Sequence, residues 1–150
     1  MTLWQQGIIF LYGLLSLLFF LKGYYEVTKK KNVFGLTNHL GFLGAFVWGD
    51  IVVLGPFWIL ICIGTILLND WYLFLLILSV FWMVRSLGET IYWLNEQFAT
   101  KNRNPANTLK FYKIFKNDSV WFVHQLINQC ILVVSIIFSI YFAKLWLSSY

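Results

Sequence analysis

Residues 45–68 read AFVWGDIVVLGPFWILICIGTILL, residues 69–70 are Asn-Asp, and residues 71–94 read WYLFLLILSVFWMVRSLGETIYWL. A helix that crosses a bilayer needs about 20 mainly apolar residues. Each run is long enough, and a two-residue link makes the two helices antiparallel neighbours. Working outward, residues 3–21 and 120–146 supply two further runs of that kind. The chain therefore reads as all-α, an integral membrane four-helix bundle with short connections. The four spans leave no room for a separate soluble domain, so residues 1–150 form a single polytopic domain. Nothing positive precedes Lys22 except the amino terminus, and no cleavage-site pattern follows the first run. It reads as a retained span rather than a signal peptide.

Composition agrees. Of 150 residues, 60% are hydrophobic and 21% aromatic, with 11 Lys or Arg and 6 Asp or Glu. Mean hydropathy is +0.73. Soluble domains carry about a quarter charged residues, so an ordinary soluble enzyme and a nucleic-acid-binding domain are excluded. Cys62 and Cys130 each sit inside an apolar run, in no metal-ligand or disulfide spacing, and read as small buried apolar residues.

The positive charges set the expected orientation. Lys22, Lys29, Lys30 and Lys31 lie between the first two runs. Lys101, Arg103, Lys110, Lys113 and Lys116 lie between the last two. The Asn69-Asp70 link has none, and the two tails have at most Lys144. Both long connections are expected in the cytoplasm and both termini outside, in a plasma membrane or cytoplasmic (inner) membrane. Trp4, Trp71, Tyr72 and Trp146 fit the outer interface; Tyr24, Tyr25, Tyr92, Trp93 and Trp121 fit the inner one. The sequon Asn117-Asp118-Ser119 falls on the cytoplasmic side, where it is not glycosylated.

The connections carry two expectations. Residues 32–44 are apolar and glycine-rich; they either lie along the interface or lengthen the second span, which Pro56 would help to bend. Residues 108–116 read as an amphipathic juxtamembrane helix. Leu109, Tyr112 and Phe115 form one stripe, and Lys110, Lys113 and Lys116 another that suits an anionic membrane surface.

Asp50, Arg85, Glu89 and His124 fall inside the predicted spans, where ionisable groups need a partner or a purpose. Straight helices folded about Asn69-Asp70 put Asp50 level with Glu89, and Arg85 is one turn away. Arg85 is expected between the two carboxylates. Taking Trp93 and Trp121 as level puts Gln125 beside Glu89 and Gln129 beside Arg85. His124, Gln125, Asn128 and Gln129 share one helical arc. Together these seven residues form an intramembrane polar layer near the cytoplasmic side.

No HExxH, Walker lysine loop or dinucleotide-binding turn is present. His124 and Asn128 are four apart, but an amide is a poor ligand. No catalytic residue, metal or cofactor is expected. The chain reads as a non-enzymatic scaffold, assembly factor or subunit of a membrane complex. Its partners are the lipid bilayer and either another membrane protein or further copies of itself. The rival reading is a small proton- or cation-coupled transporter or channel using the Asp/Arg/Glu/His layer. A lipid-headgroup enzyme is a third, without a motif to support it.

Overall fold

In an apolar run the backbone's own N–H and C=O groups are the only ready partners, and a helix satisfies them within the segment. All four runs are helical in the computed structural model, which describes residues 1–100, 104–117 and 119–149, the side chains of Asn38 and Lys110 excepted. The helices are α1 (Leu3–Thr28), α2 (Trp48–Leu67), α3 (Trp71–Phe98) and α4 (Ser119–Leu147). All four are long and apolar enough to cross a membrane. The chain divides into two compact units, Met1–Leu75 and Leu76–Tyr150.

In the first unit α1 and α2 pack antiparallel along a narrow seam. The buried residues of α2 are Trp48, Ile51, Gly55, Trp58, Cys62 and Thr65. They alternate three and four apart, the spacing that keeps one stripe of a helix against a partner. On α1, Ile9, Ser16 and Gly23 are buried at intervals of seven. Two glycines set the closest approach. A Cβ on Gly55 would lie 2.7 Å from Cβ of Phe20, and one on Gly23 would overlap Cγ2 of Ile51. α2 continues unbroken through Pro56.

α1 runs seven residues past its predicted end. Nothing in Lys22-Gly23-Tyr24-Tyr25 breaks a helix, and Glu26 pairs with Lys30 across its end at 2.7 Å. That hydrogen bond, with the carboxylate's charge, holds the exposed Lys30 ammonium above its ordinary pKa. At the other end, the α2–α3 turn places Asn69 in the left-handed region, φ 52°. Asp70 then caps α3, its Oδ1 accepting the Leu73 N–H at 2.9 Å. The Met1 ammonium and the Gln6 amide both donate to Asn69 Oδ1, at 3.2 and 3.3 Å. Trp4 packs edge-on to Trp71. The amino terminus and this turn therefore share one end of the unit.

Residues 32–44 do not lengthen α2. That helix starts at Trp48, three residues later than predicted, because the preceding chain is engaged in a hairpin. Leu36 and Val47 form an antiparallel bridge. Thr37 N–H donates to Phe46 O at 2.8 Å, Trp48 N–H to Gly35 O at 3.1 Å and Gly49 N–H to Val33 O at 2.9 Å. The hairpin turns through a 3₁₀ segment, Asn38–Leu43, ended by Gly44 at φ 72°.

In the second unit, the expected amphipathic helix over residues 108–116 is replaced by two 3₁₀ turns, Ala106–Thr108 and Lys110–Lys113, separated by Leu109 in extended conformation. Packing explains the difference. Ala106, Leu109, Phe111 and Tyr112 all pack on the buried cluster of Trp93, Val120 and Trp121. A continuous α-helix would turn Phe111 about 200° away from Leu109. The broken path seats both, at the cost of regular helix. Lys101, Arg103 and Asp118, the centre of the sequon, lie outside the described residues.

Candidate functional site

Hydroxyl side chains in the helices bond back to carbonyls of their own turn. Ser16 donates to Tyr12 O at 2.8 Å, Thr65 to Ile61 O at 2.8 Å, Ser86 to Trp82 O at 2.6 Å and Ser139 to Ser135 O at 2.7 Å. Such groups need no second partner when buried. The longer polar side chains carry the interest.

Asp50 lies in the first unit and has a local task. It is the third residue of α2, and its Oδ2 accepts the N–H groups of Phe46 and Val47 at 2.9 and 3.3 Å. This is the acidic half of a capping box; a valine at the cap position has no oxygen to supply the other half. A negative charge here also faces the positive end of the helix dipole.

The remaining predicted residues are in the second unit. Arg85 Nη2 is 3.1 Å from Glu89 Oε1, one turn along α3, with both side chains largely buried. His124 stacks on Trp93, with ring centres 4.5 Å apart and planes 19° from parallel. The Phe111 ring also lies 5.5 Å from the His124 ring, tilted by 56°. The buried Nε2 of His124 has no hydrogen-bond partner among the described residues. Asn128 Nδ2 donates to His124 O at 2.9 Å. Gln129 is half-buried on α4. Lys113 and Lys116 are exposed; the Lys110 side chain is not among those described.

The register between α3 and α4 differs from expectation. Gln125 Oε1 accepts from Gln97 Nε2 at 2.7 Å. Gln97 is two turns from Glu89, the residue Gln125 was expected to meet. Trp93 and Trp121 do share one buried cluster, but His124 is the residue stacked on Trp93.

Residues that sequence reasoning missed hold this end of the unit together. Asn104 is the hub. Its N–H donates to Glu96 Oε2 at 3.0 Å, its carboxamide donates to the Tyr92 hydroxyl, and its carbonyl accepts from Trp121 Nε1 at 3.0 Å. Glu96 is only 5% exposed. The carboxylate thus fastens a loop amide to α3, while the indole fastens the same residue to α4. The only sequence signal was an acidic residue four positions beyond Tyr92; its partner is a loop backbone group that no spacing rule specifies.

This arrangement positions a loop over an aromatic cluster. Among the described residues no group of three or more His, Cys, Asp or Glu side chains is placed to hold a metal ion. Cys62 is buried as expected, whereas Cys130 is exposed on α4. It helps to line a shallow groove of about 590 Å³ with Phe115, Phe122, Val123 and Leu126, whose walls are apolar. The chain matches no family model, no curated protein and no solved structure.

Proposed function

We propose that this is a multi-pass membrane protein without chemistry of its own, serving as a scaffold, an assembly factor or a subunit of a larger membrane complex. The observation that supports this best is how the polar side chains are used. Arg85 pairs with Glu89, Gln97 with Gln125, and Asn104 with Glu96, Tyr92 and Trp121. The first pair lies along α3, while the Gln97–Gln125 and Asn104 bonds join α3 to α4 or to the loop, as polar residues between membrane helices commonly do. The exposed side of α4 fits a lipid or protein neighbour: only Val120, Trp121 and Ser135 are buried along its length. Extraction in mild detergent followed by native electrophoresis tests the reading. The expected species is larger than the 17.7 kDa chain in its detergent shell and contains a second membrane protein or further copies. A monodisperse single copy at native expression levels counts against it.

A transporter using Asp50, Arg85, Glu89 and His124 is the second reading, favoured by the unpartnered Nε2 of His124. Proton or cation flux in proteoliposomes, lost in His124→Ala, would replace the scaffold reading with this one.

The membrane proposed is a plasma or cytoplasmic one, with both termini outside. Nine of the eleven Lys and Arg residues fall in the two long connections. The shared position of Met1 and Asn69 supports placing the amino terminus and the α2–α3 turn on one side. Reporter fusions at Tyr150 should be active outside, and fusions within residues 104–117 active inside. A cytoplasmic signal from Tyr150 overturns this orientation.

A further inference from the structure

We propose that residues 33–47 form a re-entrant hairpin, which enters the membrane from the cytoplasmic side, reverses near mid-depth and returns, placing Phe42 against lipid acyl chains. The inference rests on the membrane-spanning reading of α1 and α2.

Two rulers measure the depth. The base of the hairpin is fixed to the first turn of α2, through Trp48 N–H to Gly35 O and Gly49 N–H to Val33 O. Its tip is fixed much further along. Trp58 Nε1 donates to Leu43 O at 3.1 Å, and Trp58 is ten residues into α2 from Trp48, or about 15 Å at 1.5 Å per residue. An indole ring cannot span that length back to the first turn. The second ruler is α1. Lys22 Nζ lies 5.2 Å from the centre of the Trp48 ring at the base, a placement that suits a lysine at headgroup level. Tyr12, ten residues further along α1, donates its hydroxyl proton to Phe42 O at 3.1 Å. Again the separation is about 15 Å, which is half the roughly 30 Å hydrocarbon core.

Non-helical backbone at that depth is tolerated only where its polar groups find partners in the protein. The tip meets this condition. The carbonyls of Phe42 and Leu43 accept from Tyr12 and Trp58, and that of Ala45 accepts from Thr37 Oγ1 at 3.2 Å. The N–H groups of Leu40, Gly44 and Ala45 bond within the turn. Thr37, Leu40, Leu43 and Ala45 have no exposed surface. The Phe42 ring packs edge-on to Tyr12 and Phe19. Residues 32–49 contain no Asp, Glu, Lys or Arg, so immersing them costs no charge transfer. Phe42 is 43% exposed. At mid-depth beside two spanning helices, the medium that meets its ring is the acyl layer.

The test is nitroxide depth measurement in phosphatidylcholine–phosphatidylglycerol liposomes, on the full chain with Cys62→Ala and Cys130→Ala. Labels go at Phe42→Cys, at Leu60→Cys on the exposed face of α2, and at Phe34→Cys near the base. Gly41→Cys is a second tip position, where a Cβ meets nothing within 4 Å. Both tip labels should collide with oxygen and lose collision with nickel-EDDA as completely as Leu60→Cys does, while Phe34→Cys retains it. If Leu60→Cys is shielded and both tip labels collide freely with nickel-EDDA, the hairpin is a surface loop and the inference fails while the spanning reading stands. If Leu60→Cys itself collides freely, the spanning reading fails and takes the inference with it.

Discussion

Gly55→Ala and Gly23→Ala are expected to destabilise the protein by about 1–3 kcal/mol each, the usual cost of overpacking a close contact. Alanine is otherwise the better helix former, by about 1 kcal/mol, so the intrinsic effect runs the other way. The geometry decides the sign. At Gly55 the new methyl would sit 2.7 Å from Phe20 Cβ and 3.4 Å from its Cα. Cα belongs to the α1 backbone and Cβ is bonded to it, so no rotamer change moves either aside and the helices must separate. At Gly23 the new methyl meets Cγ2 of Ile51, a branched side chain with no exposed surface. Gly7 and Gly64 are built-in controls on the same two helices, since a Cβ on either meets nothing within 4 Å. Thermal unfolding in detergent should rank Gly7→Ala and Gly64→Ala at or above the parent, and the other two well below it. Ile51→Ala is costly alone because it opens a cavity, yet combined with Gly23→Ala the methyl fills part of that space. The double variant should be more stable than the sum of the single losses. Equal stability of Gly55→Ala and Gly64→Ala would mean that α1 and α2 do not meet along this seam.

The seam shows where the sequence stops being informative. α2 is apolar on nearly every face, so the alternating three-and-four spacing of Trp48, Ile51, Gly55, Trp58, Cys62 and Thr65 is hidden among Val53, Leu60 and Ile63, which are exposed. The four long apolar helices were legible because length and apolarity are local properties. Their ends were less so, because helical hydrogen bonding continues past the apolar edge wherever no residue interrupts it, as at Lys22 to Thr28. The Arg85–Glu89 pair was legible because four-residue spacing puts both on one face. The capping task of Asp50 was not read from the sequence, although an acid three residues into a helix is well placed for it. Gln125 was assigned to the wrong partner because the register of α4 depends on how residues 104–113 fold, and that path is set by Phe111 and Asn104 finding long-range partners. The hairpin over residues 33–47 was invisible for a similar reason. Its depth is fixed by Tyr12 and Trp58, which are 30 and 15 residues from the carbonyls they bind.

Trp121→Ala is expected to have the largest effect in the second unit, about 3–5 kcal/mol, because it removes a nearly buried indole from the cluster with Trp93 and Val120. It also removes the donor to the Asn104 carbonyl. Trp121→Phe separates these losses: it keeps an aromatic ring in place and deletes the hydrogen bond, a change of about 1 kcal/mol. Asn104→Ala should also be mild. It deletes only the carboxamide that reaches Tyr92, because the backbone N–H to Glu96 and the carbonyl to Trp121 survive the substitution. The three variants therefore rank by what each takes from the same loop. Tryptic cleavage after Lys113 and Lys116 under native conditions reads the loop directly, since proteolysis follows the population of the opened segment. Cleavage should accelerate strongly in Trp121→Ala and slightly in the other two, with thermal stability falling in the same order. If Asn104→Ala opens the loop as far as Trp121→Ala does, the Tyr92 contact rather than the aromatic cluster holds it. If Trp121→Ala changes neither measurement, the loop is held without the cluster. Residues 108–116 would then have no packing reason to abandon the amphipathic helix that their sequence favours.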